Sequence, residues 1–107
     1  MLDIYLENKL PVITTICQKY KVKRLYAFGS IVDGRFVKGK SDIDLLVELH
    51  PRSTEEKART LLKLWIDFQN ALNCEVDLIT PNCVKGKYFK KYLELYKELI
   101  FDYESMN

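Results

Sequence analysis

The stretch Asp42 to Leu49, DIDLLVEL, constrains this chain more than any other. In it Ile43, Leu45, Val47 and Leu49 alternate with Asp42, Asp44, Leu46 and Glu48, the two-residue period of a strand with one buried face. Asp42 and Asp44 therefore share the other face. A second alternation runs from Cys74 to Thr80, with Val76 and Leu78 on one side and Glu75, Asp77 and Ile79 on the other, before Pro81 stops it. A third strand is predicted over Arg24 to Phe28 and leads directly into Gly29-Ser30. Gly34 and Gly39 mark the residues from there to Ser41 as a loop, and its polarity is expected to keep it out of the core.

Helical periods fill the remainder. Val12, Ile13, Ile16, Cys17 and Tyr20 recur at three and four residue intervals, and Pro11, tolerated only in a first turn, places the start of that helix near Asn8 and its end by Tyr20. Residues 2 to 7 form a separate turn or short helix. Ser53 precedes Glu56 by three residues, a capping box, and opens a helix whose apolar stripe is Ala58, Leu61, Leu62, Trp65, Phe68 and Leu72. Trp65 and Phe68 are expected in the core. Phe89, Tyr92, Leu93 and Tyr96 predict a last helix, with ELIFDY behind it as a short strand. With 107 residues and no repeat or linker, residues 1–107 read as a single α/β (α+β) domain. A small mixed sheet carries helices on its apolar face and the three aspartates on the other.

Composition excludes more than it selects. A net charge of +2 is too small for the clustered basic excess that marks a nucleic-acid or anionic-membrane footprint, so no direct nucleic-acid partner is expected. Apolar runs fall far short of the roughly 20 residues of a membrane span, and the N-terminus lacks a signal peptide's apolar core; a cytoplasmic protein is expected. Cys17, Cys74 and Cys83 are odd in number and form no CxxC pair, against both a disulfide framework and a zinc site, and reduced, mostly buried thiols are expected.

Gly-Ser at the exit of one strand, Asp-x-Asp on a second and a lone Asp on a third together outline a phosphoryl-transfer site. Two carboxylates projecting in parallel repel unless a cation or basic group neutralises them, and oxygen-only ligands favour Mg²⁺ over zinc. Glycine lets the backbone approach a phosphate, and the Ser30 hydroxyl and neighbouring amides can hydrogen-bond its oxygens, especially if Ser30 opens a helical turn. A third carboxylate, Asp77, could complete a metal's shell and take the proton of an attacking hydroxyl. Read from the residues alone, the chemistry stops at a metal-dependent nucleotide site.

The segment AFGSIVDGRFVKGKSDIDLLVEL, residues 27 to 49, resembles the Gly-Ser, spacer, Asp-x-Asp signature of the minimal nucleotidyltransferases of the DNA polymerase β superfamily. EVDLIT, residues 75 to 80, is similar to the strand that carries their third acid. The resemblance implies a polymerase-β-like fold, with Gly29 and Ser30 on the β and γ phosphates of ATP, and Asp42, Asp44 and Asp77 as the catalytic and Mg²⁺-binding triad. Members this small resemble the antitoxin of a toxin and antitoxin pair. The resemblance then implies transfer of AMP from ATP to a tyrosine of a HEPN-domain toxin. Two alternatives stand beside it: an antitoxin acting by binding alone, and a small-molecule transferase acting on an aminoglycoside-like hydroxyl. Homo- and hetero-oligomers both remain open.

The other reactive residues have plainer readings. His50, the only histidine, ends a strand beside Pro51. Lys19, Lys21, Lys23 and Arg24 form a solvated helix end and turn, whereas Arg35, Lys38 and Lys40 lie in the spacer, where a cation could reach a triphosphate. Six of the thirteen aromatic residues fall between Tyr88 and Tyr103, more than one small amphipathic element readily buries, which points to an aromatic flank of the core or a partner interface.

Overall fold

Two short helices, α1 (Ile4–Glu7) and α2 (Leu10–Lys19), lead into strand β1 (Val22–Phe28) of the computed structural model, which describes residues 1–106. Then follow a helical turn, α3 (Ser30–Asp33), strand β2 (Ile43–Leu49), the long helix α4 (Thr54–Leu72) and strand β3 (Val76–Ile79). Helix α5 (Lys87–Tyr96) and strand β4 (Glu98–Asp102) close the order. The strands form one mixed sheet in the order β3-β2-β1-β4. β1 is antiparallel to both β2 and β4, and β2 is parallel to β3. Parallel neighbours cannot be joined by a hairpin; α4 supplies the crossover.

Alternation decides which side of the sheet is core. Leu25 and Ala27 of β1, Ile43, Leu45 and Val47 of β2, Val76 of β3 and Phe101 of β4 pack with Ile13, Ile16 and Cys17 of α2 and Leu64, Phe68 and Leu72 of α4. Phe68 is fully buried, and burial of a ring of that size contributes about 1.5–3 kcal/mol. The Ser53 hydroxyl accepts the Glu56 N–H at 3.1 Å, the predicted cap. Tyr20 Oη donates to Asp67 at 2.6 Å, tying α2 to α4.

The opposite face, which carries the acids, is covered in part by α5. Leu93 packs there on Phe28 and Leu46, with Tyr26, Ile79, Val84 and Tyr92 around them.

Several sequence expectations need correction. The stripe on α4 is rotated: Leu64 is fully buried, while Leu62 and Trp65 lie at the surface, because 64, 68 and 72 form the inward row. Trp65 is an edge residue whose indole Nε1 donates to the Val76 carbonyl at 2.9 Å. The residues after Gly29 are not all loop, since Ile31 and Val32 are buried in the core. α2 starts at Leu10 rather than Asn8. β1 starts at Val22, two residues early, because a register shift between Val22 and Arg24 interrupts the alternation. Cys17 is buried and Cys74 half-buried, but Cys83 is exposed. No helix among the described residues is long and apolar enough to cross a membrane.

Candidate active site

The turn between β1 and α3 fixes the first half of the site. Gly29 has φ 77° and ψ −148°, a region in which residues with a side chain are strained. A Cβ added there would also collide with Asp44 Oδ2. Glycine is thus required by the backbone and by the acid that lies against it. The Gly29 carbonyl accepts the N–H groups of Val32 at 3.0 Å and Asp33 at 3.2 Å, so Ser30 does open a helical turn. Burial of Ile31 and Val32 anchors that turn.

The sheet supplies the second half. Asp44 is paired in register with Phe28 across β1 and with Asp77 across β3, and Asp42 precedes it by two residues on the same face. Asp42 and Asp77 are exposed, and Asp44 is half-buried between them. Burial, the Asp77 charge, a hydrogen bond with the Asp77 carboxyl and the Asp42 charge together push the Asp44 carboxyl up to about 6. Among the described residues the ion pairs lie elsewhere and none reaches these three acids.

The spacer cations do not all face the site. Arg35 is bound to Asp33 at 2.6 Å, and Lys38 Nζ donates to the Asn73 carbonyl at 3.1 Å. Lys40 lines a cleft of about 240 Å³ with Asp42, Ser41 and Glu75. A larger cavity of about 420 Å³, lined by Lys23, His50, Arg52 and Lys57 among others, contains none of the three acids and lies toward the C-terminal end of β2. His50 is occupied edge-on with Tyr103 at 5.2 Å, as suits a strand end. Lys19 and Arg24 pair with Asp67 and Glu48.

The donor set fits a hard divalent cation. No three His, Cys, Asp or Glu side chains among the described residues form a ready-made cage. Mg²⁺, however, is usually held by one or two carboxylates together with substrate phosphates and water rather than by an all-protein shell. Crowded, uncompensated carboxylates beside a glycine turn meet that description.

The raised Asp44 carboxyl carries a sign. Its folded-state value of about 6 exceeds the unfolded reference of about 3.9, so the fold binds the extra proton and loses stability as pH rises through the interval between them. In chelator, the wild-type melting temperature is expected to fall between pH 4.5 and 7.5 relative to that of Asp44→Asn, and Mg²⁺ is expected to reverse the fall. Parallel melting curves for the two proteins would remove the crowding.

One neighbour was not distinguishable in the sequence. Tyr92, from α5, accepts the Gly29 N–H at 3.1 Å. In the sequence it was one of six aromatics, and no local pattern set it apart from Tyr88 or Tyr96.

A mixed sheet that brings Gly-Ser at the end of one strand beside Asp-x-Asp on the next, with a third acid on the strand beyond, has the outline of a nucleotidyl-transfer site. The chain belongs to the nucleotidyltransferase domain family, whose model matches residues 12–102. Two relatives from Methanocaldococcus jannaschii, each named as a protein adenylyltransferase, are 38% and 36% identical to it over 88 residues, with 78% of this chain and 80% of each relative covered. A minimal nucleotidyltransferase of known structure superposes with TM-score 0.61 at 24% identity, covering 92% of this chain and 94% of its own. A toxin-antitoxin crystal structure with AMP-PNP contains a chain that superposes with TM-score 0.61 at 21% identity, covering 94% of this chain and 76% of its own. A complex described as a tri-AMPylated Shewanella oneidensis HEPN toxin with its antitoxin gives TM-score 0.56 at 16% identity, covering 94% and 75%. These likenesses establish the polymerase-β-like fold expected from the sequence.

Proposed function

We propose that this protein is an Mg²⁺-dependent adenylyltransferase that moves AMP from ATP to a protein hydroxyl, and that the acceptor is a tyrosine of a HEPN-type toxin, which the modification silences. The observation that carries the reading is the register of Asp44 with Asp77, which gathers three acids beside a glycine turn that admits no side chain. The protein-directed acceptor is supported by the names of the curated relatives, and the toxin by the complexes of similar fold.

In this reading Gly29 and Ser30 hold the β and γ phosphates, Asp42 and Asp44 would hold Mg²⁺, and Asp77 completes the triad. The bound cation supplies charge neutralisation and polarisation of the phosphate oxygens. Asp77, exposed on the edge strand β3, takes the proton of the attacking hydroxyl. The acceptor oxygen forms a bond to the α-phosphorus, the bond from that phosphorus to the bridging oxygen breaks, and pyrophosphate leaves. The exposure of Asp42 and Asp77 leaves the acids open to a macromolecular acceptor.

Neutralisation by docking alone is a second reading, favoured by the exposed apolar residues of α5 and β4: Tyr88 is 81% exposed, Tyr96 58% and Leu99 51%. One assay separates the two. With ATP labelled at the α-phosphate and the product of the neighbouring gene, label is expected on a tyrosine of that partner. Asp77→Ala is expected to keep most Mg²⁺-ATP affinity and lose transfer by at least about 100-fold, a general-base contribution. If wild type and Asp77→Ala silence the partner equally without label, docking is the mechanism.

A further inference from the structure

We infer that Tyr92 is a phosphate ligand of the nucleotide site, a donor that extends the Gly29-Ser30 turn. The inference rests on the nucleotide reading above and adds to it a residue that the Gly-Ser and Asp-x-Asp pattern does not contain. Tyr92 Oη accepts the Gly29 N–H at 3.1 Å. A phenol that accepts one hydrogen bond still has its own proton to donate, and among the described residues no side chain or carbonyl takes it. A donor polarised by an upstream N–H is strengthened. The Tyr92 hydroxyl is therefore primed to donate, beside the backbone that a triphosphate would approach.

Packing holds the hydroxyl where it is. The Tyr92 ring lies between Phe89, at 6.3 Å with planes 12° apart, and Tyr96, at 5.3 Å. One residue on, Leu93 is buried against Phe28 and Leu46, which fixes α5 to the strands that carry Gly29 and Asp44. The cation supply makes the contribution matter. Arg35 and Lys38 are engaged with Asp33 and the Asn73 carbonyl, which leaves Lys40 as the spacer cation beside Asp42, so a neutral donor adds to the phosphate's hydrogen bonding.

Tyr92→Phe tests this because it removes the oxygen and keeps the stacked ring. By calorimetry in Mg²⁺, ATP affinity is expected to fall about tenfold or more, the loss of one hydrogen bond to a charged group. AMP, which lacks the β and γ phosphates, is expected to bind the two proteins within about twofold. The nucleotide-free variant should melt close to wild type, because the Gly29 N–H left behind is only part-buried. Equal ATP affinity in the two proteins overturns the inference. Tighter ATP binding by the variant also overturns it, since Tyr92 would then be competing with phosphate for the Gly29 N–H. A wild type that binds no nucleotide in Mg²⁺ removes the nucleotide site itself and the inference with it, an outcome distinct from the other two.

Discussion

The double variant Asp42→Asn, Asp44→Asn is expected to show no detectable adenylyl transfer while melting at or above the wild-type temperature. The two effects have opposite signs because, in the proposed reading, the carboxylates serve chemistry at the expense of the fold. Asp44 is half-buried and crowded by Asp77 and Asp42, which raises its carboxyl to about 6, so at neutral pH the native state holds charges that repel one another. Asparagine keeps the shape, removes the repulsion and can donate to Asp77. It is a poor ligand for a hard cation. Val47→Asp provides the contrast: Val47 is fully buried in the same strand, and an unpaired charge there is expected to unfold the domain. Transfer assays and thermal melts on the three proteins check this. Loss of folding in the double Asn variant, comparable to Val47→Asp, would make the carboxylates structural and take away the basis of the metal-dependent reading.

Those acids were legible in the sequence because a strand converts position into direction. The period of 42–49 puts Asp42 and Asp44 on one face whatever the neighbouring strands do, and the same holds for Asp77 within β3. What the period cannot supply is which strand lies next to which. The register of Asp44 with Asp77 follows from the crossover through α4, a long-range choice with no local signature. Helix faces were less secure. On α4 the apolar residues cover more than one face, so Leu61, Leu62, Trp65 and Phe68 fit a stripe in the sequence, yet the inward row runs through Leu64, Phe68 and Leu72. Trp65 satisfies its indole N–H at the sheet edge, and burial of that N–H without a partner would have been costly. The short helical turn at Ser30 was hidden by its glycine neighbours, since Ile31 and Val32 are too few to show a period. Tyr92 was hidden by abundance, because its role depends on α5 folding back over the acid-bearing face.

Glycine 29 offers the sharpest separation of strain from function, because a second glycine in the same connection has one of its two constraints and not the other. Gly29 and Gly34 have φ of 77° and 87°, so alanine at either position costs about 1–3 kcal/mol of backbone strain, several degrees of melting temperature in a domain of this size. A Cβ at Gly34 meets nothing within 4 Å, whereas one at Gly29 collides with the Asp44 carboxylate. The collision is relieved by moving Asp44 off its place beside Asp42 and Asp77 or by shifting the turn that carries Ser30, and either movement separates the acids from the proposed phosphate seat. A displacement of about 1 Å in such a site can lower turnover by about 100-fold. Gly34→Ala is therefore expected to melt lower than wild type and to keep near-normal Mg²⁺-ATP binding and transfer. Gly29→Ala is expected to melt at least as low, to lose measurable Mg²⁺-ATP binding and to transfer at least about 100-fold more slowly. Comparable turnover in the two alanine variants, measured well below both melting temperatures, would show that the contact between Gly29 and Asp44 does not organise the site.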